Sequence, residues 1–212
     1  MTRVPLWVRL ALAGLITVVA LGVALWPRGD GDDRTAVGGD QAHQSALVSE
    51  QSRAEAGLRS CPLPAADAVG RGPLAGITLS CLADGKSVDL AAALAGKPAL
   101  LNLWAYWCRP CAAELPYLQE YAHRAGNAIT VLTVHSDPDE AKGLALLTGL
   151  KVTLPGVLDA DTRVRNAVGA PAVLPISVLL RADGSVAKVI VRPFDGVDDI
   201  ADTVASELGV AA

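Results

Sequence analysis

Two cysteines separated by only two residues, Cys108 and Cys111, sit at the center of the stretch NLWAYWCRPCAAELP, residues 102–116. A thiol attacks a disulfide as its thiolate, and a second thiol three positions on can then displace the first from the mixed disulfide. The pair follows PALLNLWAYW, an apolar run suited to a strand buried on both faces. It precedes AAELPYLQEYAHRAG, where Leu115, Leu118 and Ala122 recur at helical spacing. Cys108 therefore falls at a helix start, where unpaired backbone N–H groups and the macrodipole favor an anion. Pro110 suits the first turn, since its missing N–H is not needed there. Arg109 either adds a charge that favors the thiolate of Cys108 or is an exposed, solubilizing side chain.

A lone C-x-x-C is also half of a zinc site, but no second C-x-x-C or histidine pair follows at zinc-finger spacing, so no metal is assigned. A purely structural Cys108–Cys111 bridge would close a ring too small to constrain much. Cys61 and Cys81 lie twenty positions apart in loop or hairpin sequence. A bridge of that span contributes roughly 3 kcal/mol in the chain-entropy picture. It reads as a structural disulfide pinning the CPLP segment to the first hairpin, the alternatives being a second redox pair or resolving partners for Cys111.

The chain has 212 residues, enough for one membrane or targeting segment and one domain of roughly 150 residues. A net charge of -4 without any long basic run excludes the electrostatic footprint of a nucleic-acid binder. Much of the 51% hydrophobic content gathers in LALAGLITVVALGVALW, residues 10–26, an uncharged run that as a helix rises about 26 Å. Trp7 and Trp26 flank it at interfacial positions, with Arg3 and Arg9 before it and Asp30, Asp32 and Asp33 after it. That asymmetry places the N-terminus in the cytoplasm and the rest outside a cell membrane crossed once. The alternative is a cleaved signal peptide ending near Gly22-Val23-Ala24. Either way the domain is exported, where disulfides persist.

Residues 1–27 are thus expected to be an anchor, 28–57 a flexible Gly-, Asp- and Ser-rich tether that includes the unassigned His43, and 58–212 the working domain. Within that domain GITLSCL and SVDL flank Asp84-Gly85 and predict a β-hairpin. After the Cys108 strand and helix, AITVLTVHS, GVLDA, ISVLLR and VAKVIVR predict strands. DEAKGLALLTGL, TRVRNAVG and GVDDIADTVASELG predict helices among them. Alternation of this kind makes a three-layer α/β domain around a mixed sheet.

WCRPC after an apolar strand, CAAELP running on from it, and a later VLPIS before another strand resemble the thioredoxin superfamily. The likeness is closer to the TlpA/ResA group of membrane-anchored, extracytoplasmic thiol-disulfide oxidoreductases. That resemblance implies a thioredoxin-like fold, a central mixed β-sheet flanked by helices, with an extra N-terminal β-hairpin and a helical insertion in DPDEAKGLALLTGLKVTLP. By the resemblance Cys108 is the nucleophile and Cys111 the resolving thiol. Pro175 is a cis-proline that frees the backbone of Leu174 to pair with a bound client. Pro116 is a structural helix proline. Glu114, three positions beyond Cys111, matches an acidic residue kept near the thiols and would relay the proton of Cys111, unless it only complements the helix dipole. Asn102 stands where ordinary thioredoxins carry a buried aspartate. Trp107, with Trp104 and Tyr106, would form an apolar platform, unless Trp104 belongs to the core, and His123 and His135 read as surface or strand-end residues.

The leading expectation is a tethered oxidoreductase that reduces disulfides of exported proteins, working through its own Cys108–Cys111 couple without a cofactor. The resemblance suggests apocytochrome c as a client and a membrane electron donor of the CcdA or DsbD type. Competing readings are an oxidase or isomerase running the reverse reaction, which Arg109 favors, and a noncatalytic metal or heme carrier.

Overall fold

The computed structural model describes residues 48–211. The expected span, His43 and the tether up to residue 47 lie outside them. Among the described residues no helix is long and apolar enough to cross a membrane.

The end of the expected tether departs from that reading: Glu50–Ala56 is a helix, α1, capped by Ser49, whose side chain accepts the Ser52 N–H. Its own sequence is too polar and short to hold a helix. Arg53 supplies the anchor, donating to the Glu140 carboxylate at 2.6 and 3.0 Å and to the carbonyls of Cys81 and Leu82 at 3.3 and 2.9 Å.

β1 (Thr78–Cys81) and β2 (Ser87–Asp89) form the expected hairpin, with Gly85 at φ 73° in the turn and Asp84 accepting the Lys86 N–H. Asp89 caps a short helix, α2 (Leu90–Ala93), that the sequence pattern did not announce. Then come β3 (Ala99–Trp104), α3 (Arg109–Ala125), β4 (Thr130–His135), α4 (Glu140–Leu150), β5 (Gly156–Leu158) and α5 (Arg163–Ala167). The chain closes with β6 (Ile176–Leu180), β7 (Val186–Ile190) and α6 (Val197–Leu208). The sheet order is β2-β1-β5-β4-β3-β6-β7, with β3-β4 and β4-β5 parallel and the other pairs antiparallel. This is the thioredoxin-like fold with its mixed sheet, the α4–β5 unit adding one parallel strand on which the N-terminal hairpin docks through β1.

Strand alternation sorts the core into two layers. Leu100 and Trp104 of β3 pack with Leu115, Leu118 and Tyr121 of α3, Leu144 and Leu147 of α4, and Ile200 and Val204 of α6. Ala99, Leu101 and Leu103 point the other way, to Leu90 of α2, Val164 of α5 and the hairpin residues Leu79 and Val88. All six residues of β3 are buried, as a continuous apolar run requires. A Cys61–Cys81 disulfide, Cα–Cα 6.0 Å, ties the incoming segment to β1.

Candidate active site

Cys108 is the N-cap of α3: its backbone is extended, and its sulfur accepts the backbone N–H of Cys111 at 3.3 Å. The two cysteines are disulfide-bonded with Cα atoms 5.3 Å apart, Cys108 5% exposed and Cys111 fully buried. Cys108 is thus the only edge of the couple that a second molecule can reach. Pro110 lies in the first turn, as its chemistry allows. Arg109 opens the helix with its side chain exposed and makes no side-chain hydrogen bond or ion pair among the described residues.

Because β3 pairs antiparallel with β6, with Leu103 opposite Ile176, the loop entering β6 arrives at the end of β3 that leads into Cys108. The Leu174–Pro175 bond in that loop is cis. Trp107, the residue before Cys108, and Leu174, the residue before Pro175, line one cavity. Trp107 is exposed, its indole N–H donating to Asp137 at 2.9 Å. Trp104, by contrast, is wholly buried and belongs to the core.

One helical turn beyond Cys111, Glu114 is buried under the sheet. The register fixes its partners: Asn102 sits opposite Ser177 across β3 and β6, on the face toward α3. The Asn102 Nδ2 donates to Glu114 Oε1 at 2.7 Å and to Ser177 Oγ at 3.2 Å. The other carboxyl oxygen accepts the Phe194 backbone N–H at 2.9 Å. Burial pushes the Glu114 carboxyl up from 4.5 to about 7, against the pull of the Phe194 N–H, the Asn102 amide and the nearby Arg192 charge. A carboxyl poised there can hold or release a proton at neutral pH, as a proton relay requires.

Two features escaped the sequence. The Phe194 amide is presented by a loop held by Arg192, which donates to Asp199 at 2.6 and 2.8 Å; Asp199 in turn accepts the Asp195 N–H at 3.1 Å. Nothing local in PFDG marks that amide as a ligand of Glu114, 80 positions away. The second is His135, which ends β4 as expected but is completely buried. Its ring lies 4.5 Å from that of Trp104, and neither ring nitrogen has a hydrogen-bond partner among the described residues. A Cβ on Gly143 would come within 2.8 Å of the imidazole, so glycine is needed on α4. Burial lowers the His135 pKa to about 4 against the charges of Asp137 and Asp139. Strand parity was the available signal, since His135 shares a face with Val131. His123 is exposed on α3.

Among the described residues no group of three or more His, Cys, Asp and Glu side chains converges as metal ligands do.

Residues 63–205 match the family profile described as Redoxin. Over 108 residues the chain is 32% identical to the thiol-disulfide oxidoreductase ResA of Bacillus subtilis strain 168, a match covering 50% of this chain and 59% of that protein. The chain spans less than two thirds of the length of the curated relatives it matches. Among solved structures, a secreted disulfide oxidoreductase of Mycobacterium tuberculosis aligns with a TM-score of 0.54 at 29% identity, covering 63% of this chain and 97% of that one. The exposed lipoprotein thioredoxin of Streptococcus pneumoniae strain TIGR4 gives a TM-score of 0.53 at 29% identity, over 61% and 98% of the two chains.

Proposed function

The chain belongs to the redoxin family, and on that premise we propose that it is an extracytoplasmic, membrane-tethered thiol-disulfide oxidoreductase that reduces disulfides of exported proteins. The observation that carries this reading is the Cys108–Cys111 couple at the N-cap of α3, with only Cys108 at the surface and a buried carboxyl one turn behind it. The Cys108 thiolate attacks one sulfur of a client disulfide, forming a mixed disulfide and releasing the other client sulfur as a thiolate. Cys111 gives its proton to the Glu114 carboxylate and attacks the Cys108 sulfur. The client leaves with both thiols, and the protein keeps the disulfide; two electrons pass to the client, and its two sulfurs take up two protons, one passed on from Glu114 and one from water. The N-cap geometry supports the assignment of Cys108 as attacker, because its sulfur accepts a backbone N–H where the helix dipole favors negative charge.

Turnover then needs a reductant for Cys108–Cys111. The likeness to ResA-type proteins supports a membrane electron donor of the CcdA or DsbD type, and apocytochrome c, whose heme-binding cysteines must be thiols, as a client. One observation favors the reverse direction: the same N–H bond to Cys108 stabilizes the thiolate and so makes the disulfide more oxidizing. The test of the exchange itself is trapping. Cys111→Ser should accumulate mixed disulfides with client proteins through Cys108, and Cys108→Ser should accumulate none; equal trapping by both variants would remove the assignment.

A further inference from the structure

The cavity that Trp107 and Leu174 line, about 240 Å³, has unlike walls. Val173 and Leu174 of the loop before β6 and Trp107 before the cysteines are apolar, and Trp107 and Val173 remain 60% and 50% exposed. Single exposed apolar side chains are ordinary, but two at one opening, one of them the residue before Cys108, make a contact surface. Asp137 fixes one of them through the Trp107 indole N–H. The facing wall comes from α5: Arg165 donates to the Thr162 hydroxyl at 3.2 Å and meets no carboxylate among the described residues. Ser136 also lines the cavity, with its hydroxyl shielded from solvent and without a partner among the described residues. Among the described residues no acidic side chain lines it.

We infer that this cavity selects clients by the residues flanking the attacked cysteine, taking an apolar side chain against Trp107 and Val173 and a client carboxylate on Arg165. The inference rests on the disulfide exchange proposed above and names the class of substrate that exchange favors: an extended, disulfide-bonded segment that is apolar and acidic beside its cysteine. Each part follows from what the walls lack. The exposed indole and isopropyl groups leave water when an apolar side chain covers them. Arg165 gains the planar acceptor its guanidinium fits. A lysine in the same place would set cation against cation.

The test uses the full chain, reduced, with matched peptide disulfides that carry leucine next to the cysteine followed by aspartate, asparagine or lysine. The uncharged bis(2-hydroxyethyl) disulfide is the control, and rates are followed by the loss of protein thiols. The aspartate peptide should react about tenfold faster than the lysine peptide, the size of one charge-assisted hydrogen bond. Arg165→Glu should invert that order, and Arg165→Gln should erase it, with both leaving the rate for the control disulfide unchanged. Equal rates for all three peptides, or an order unaltered in both variants, would overturn the inference while the control disulfide still reacted. Failure of the control disulfide to oxidize the wild-type thiols would instead remove the exchange reading, and the inference with it.

Discussion

Glu114→Gln replaces a buried carboxyl with a neutral group of the same shape, and its effect on stability must shift in the variant's favor as pH rises. In the fold the carboxyl titrates near 7; in an unfolded chain it titrates near 4.5. Between those values the folded chain holds a proton that the unfolded chain releases. The stability contributed by Glu114 is therefore fully present below 4.5 and is lost as pH rises through 7. The difference is worth roughly 3 kcal/mol. Glutamine has one acceptor oxygen for two donors, so either the Asn102 amide or the Phe194 N–H loses its partner at all pH values. That loss costs about 1–3 kcal/mol. Expected, then, is a variant clearly less stable than wild type at pH 4.5 and equal to it or more stable at pH 8. The assay is urea denaturation of both oxidized proteins across that range. With a slope of about 2 kcal/mol per molar urea, the midpoint difference should move by about 1–2 M in favor of the variant as pH rises. A difference that stays constant from pH 4.5 to 8 would refute the placement of a titrating carboxyl at Glu114.

Arg192→Gln should raise the Glu114 titration, because it removes a nearby cation and loosens the loop that presents the Phe194 amide; the pH at which the Phe194 amide resonance inflects reads this directly. His135 contributes oppositely to Glu114: its folded pKa of about 4 lies below the usual 6.5, so its stability is present above 6.5 and lost as pH falls through 4. His135→Leu should therefore gain roughly 3 kcal/mol relative to wild type between pH 7 and pH 4, measured by denaturant midpoints. Replacing both Cys61 and Cys81 with Ala should cost about 3 kcal/mol of stability and leave the exchange rate at Cys108 unchanged, checked by unfolding and thiol assays on one sample.

How far the sequence could be read depended on the range of the forces involved. The hairpin at Asp84-Gly85 and the N-capping position of Cys108 were legible because their causes lie within a few residues: a turn that needs positive φ, and a strand that stops where a helix starts. Continuous apolarity likewise marked β3 as buried on both faces. α1 was read as tether because its support is one guanidinium reaching a carboxylate 87 positions away. The burial of His135 depended on a glycine in the next helix leaving room for its ring. Glu114 was singled out by the resemblance to the TlpA/ResA group, but its partners come from β3 and from the loop after β7, which only the folded sheet brings to it.

The reduction potential of the Cys108–Cys111 couple decides which way electrons flow between this protein and its clients. It would be measured on the full chain in dithiothreitol or glutathione buffers, with Cys61–Cys81 followed separately by peptide mapping. A reversible two-electron couple near or below about -250 mV, in the thioredoxin range, is the predicted result and fits a reductase fed by a membrane donor. A value near about -120 mV, that of a strong oxidant, would mean that electrons flow from clients into this protein and would contradict the proposed direction.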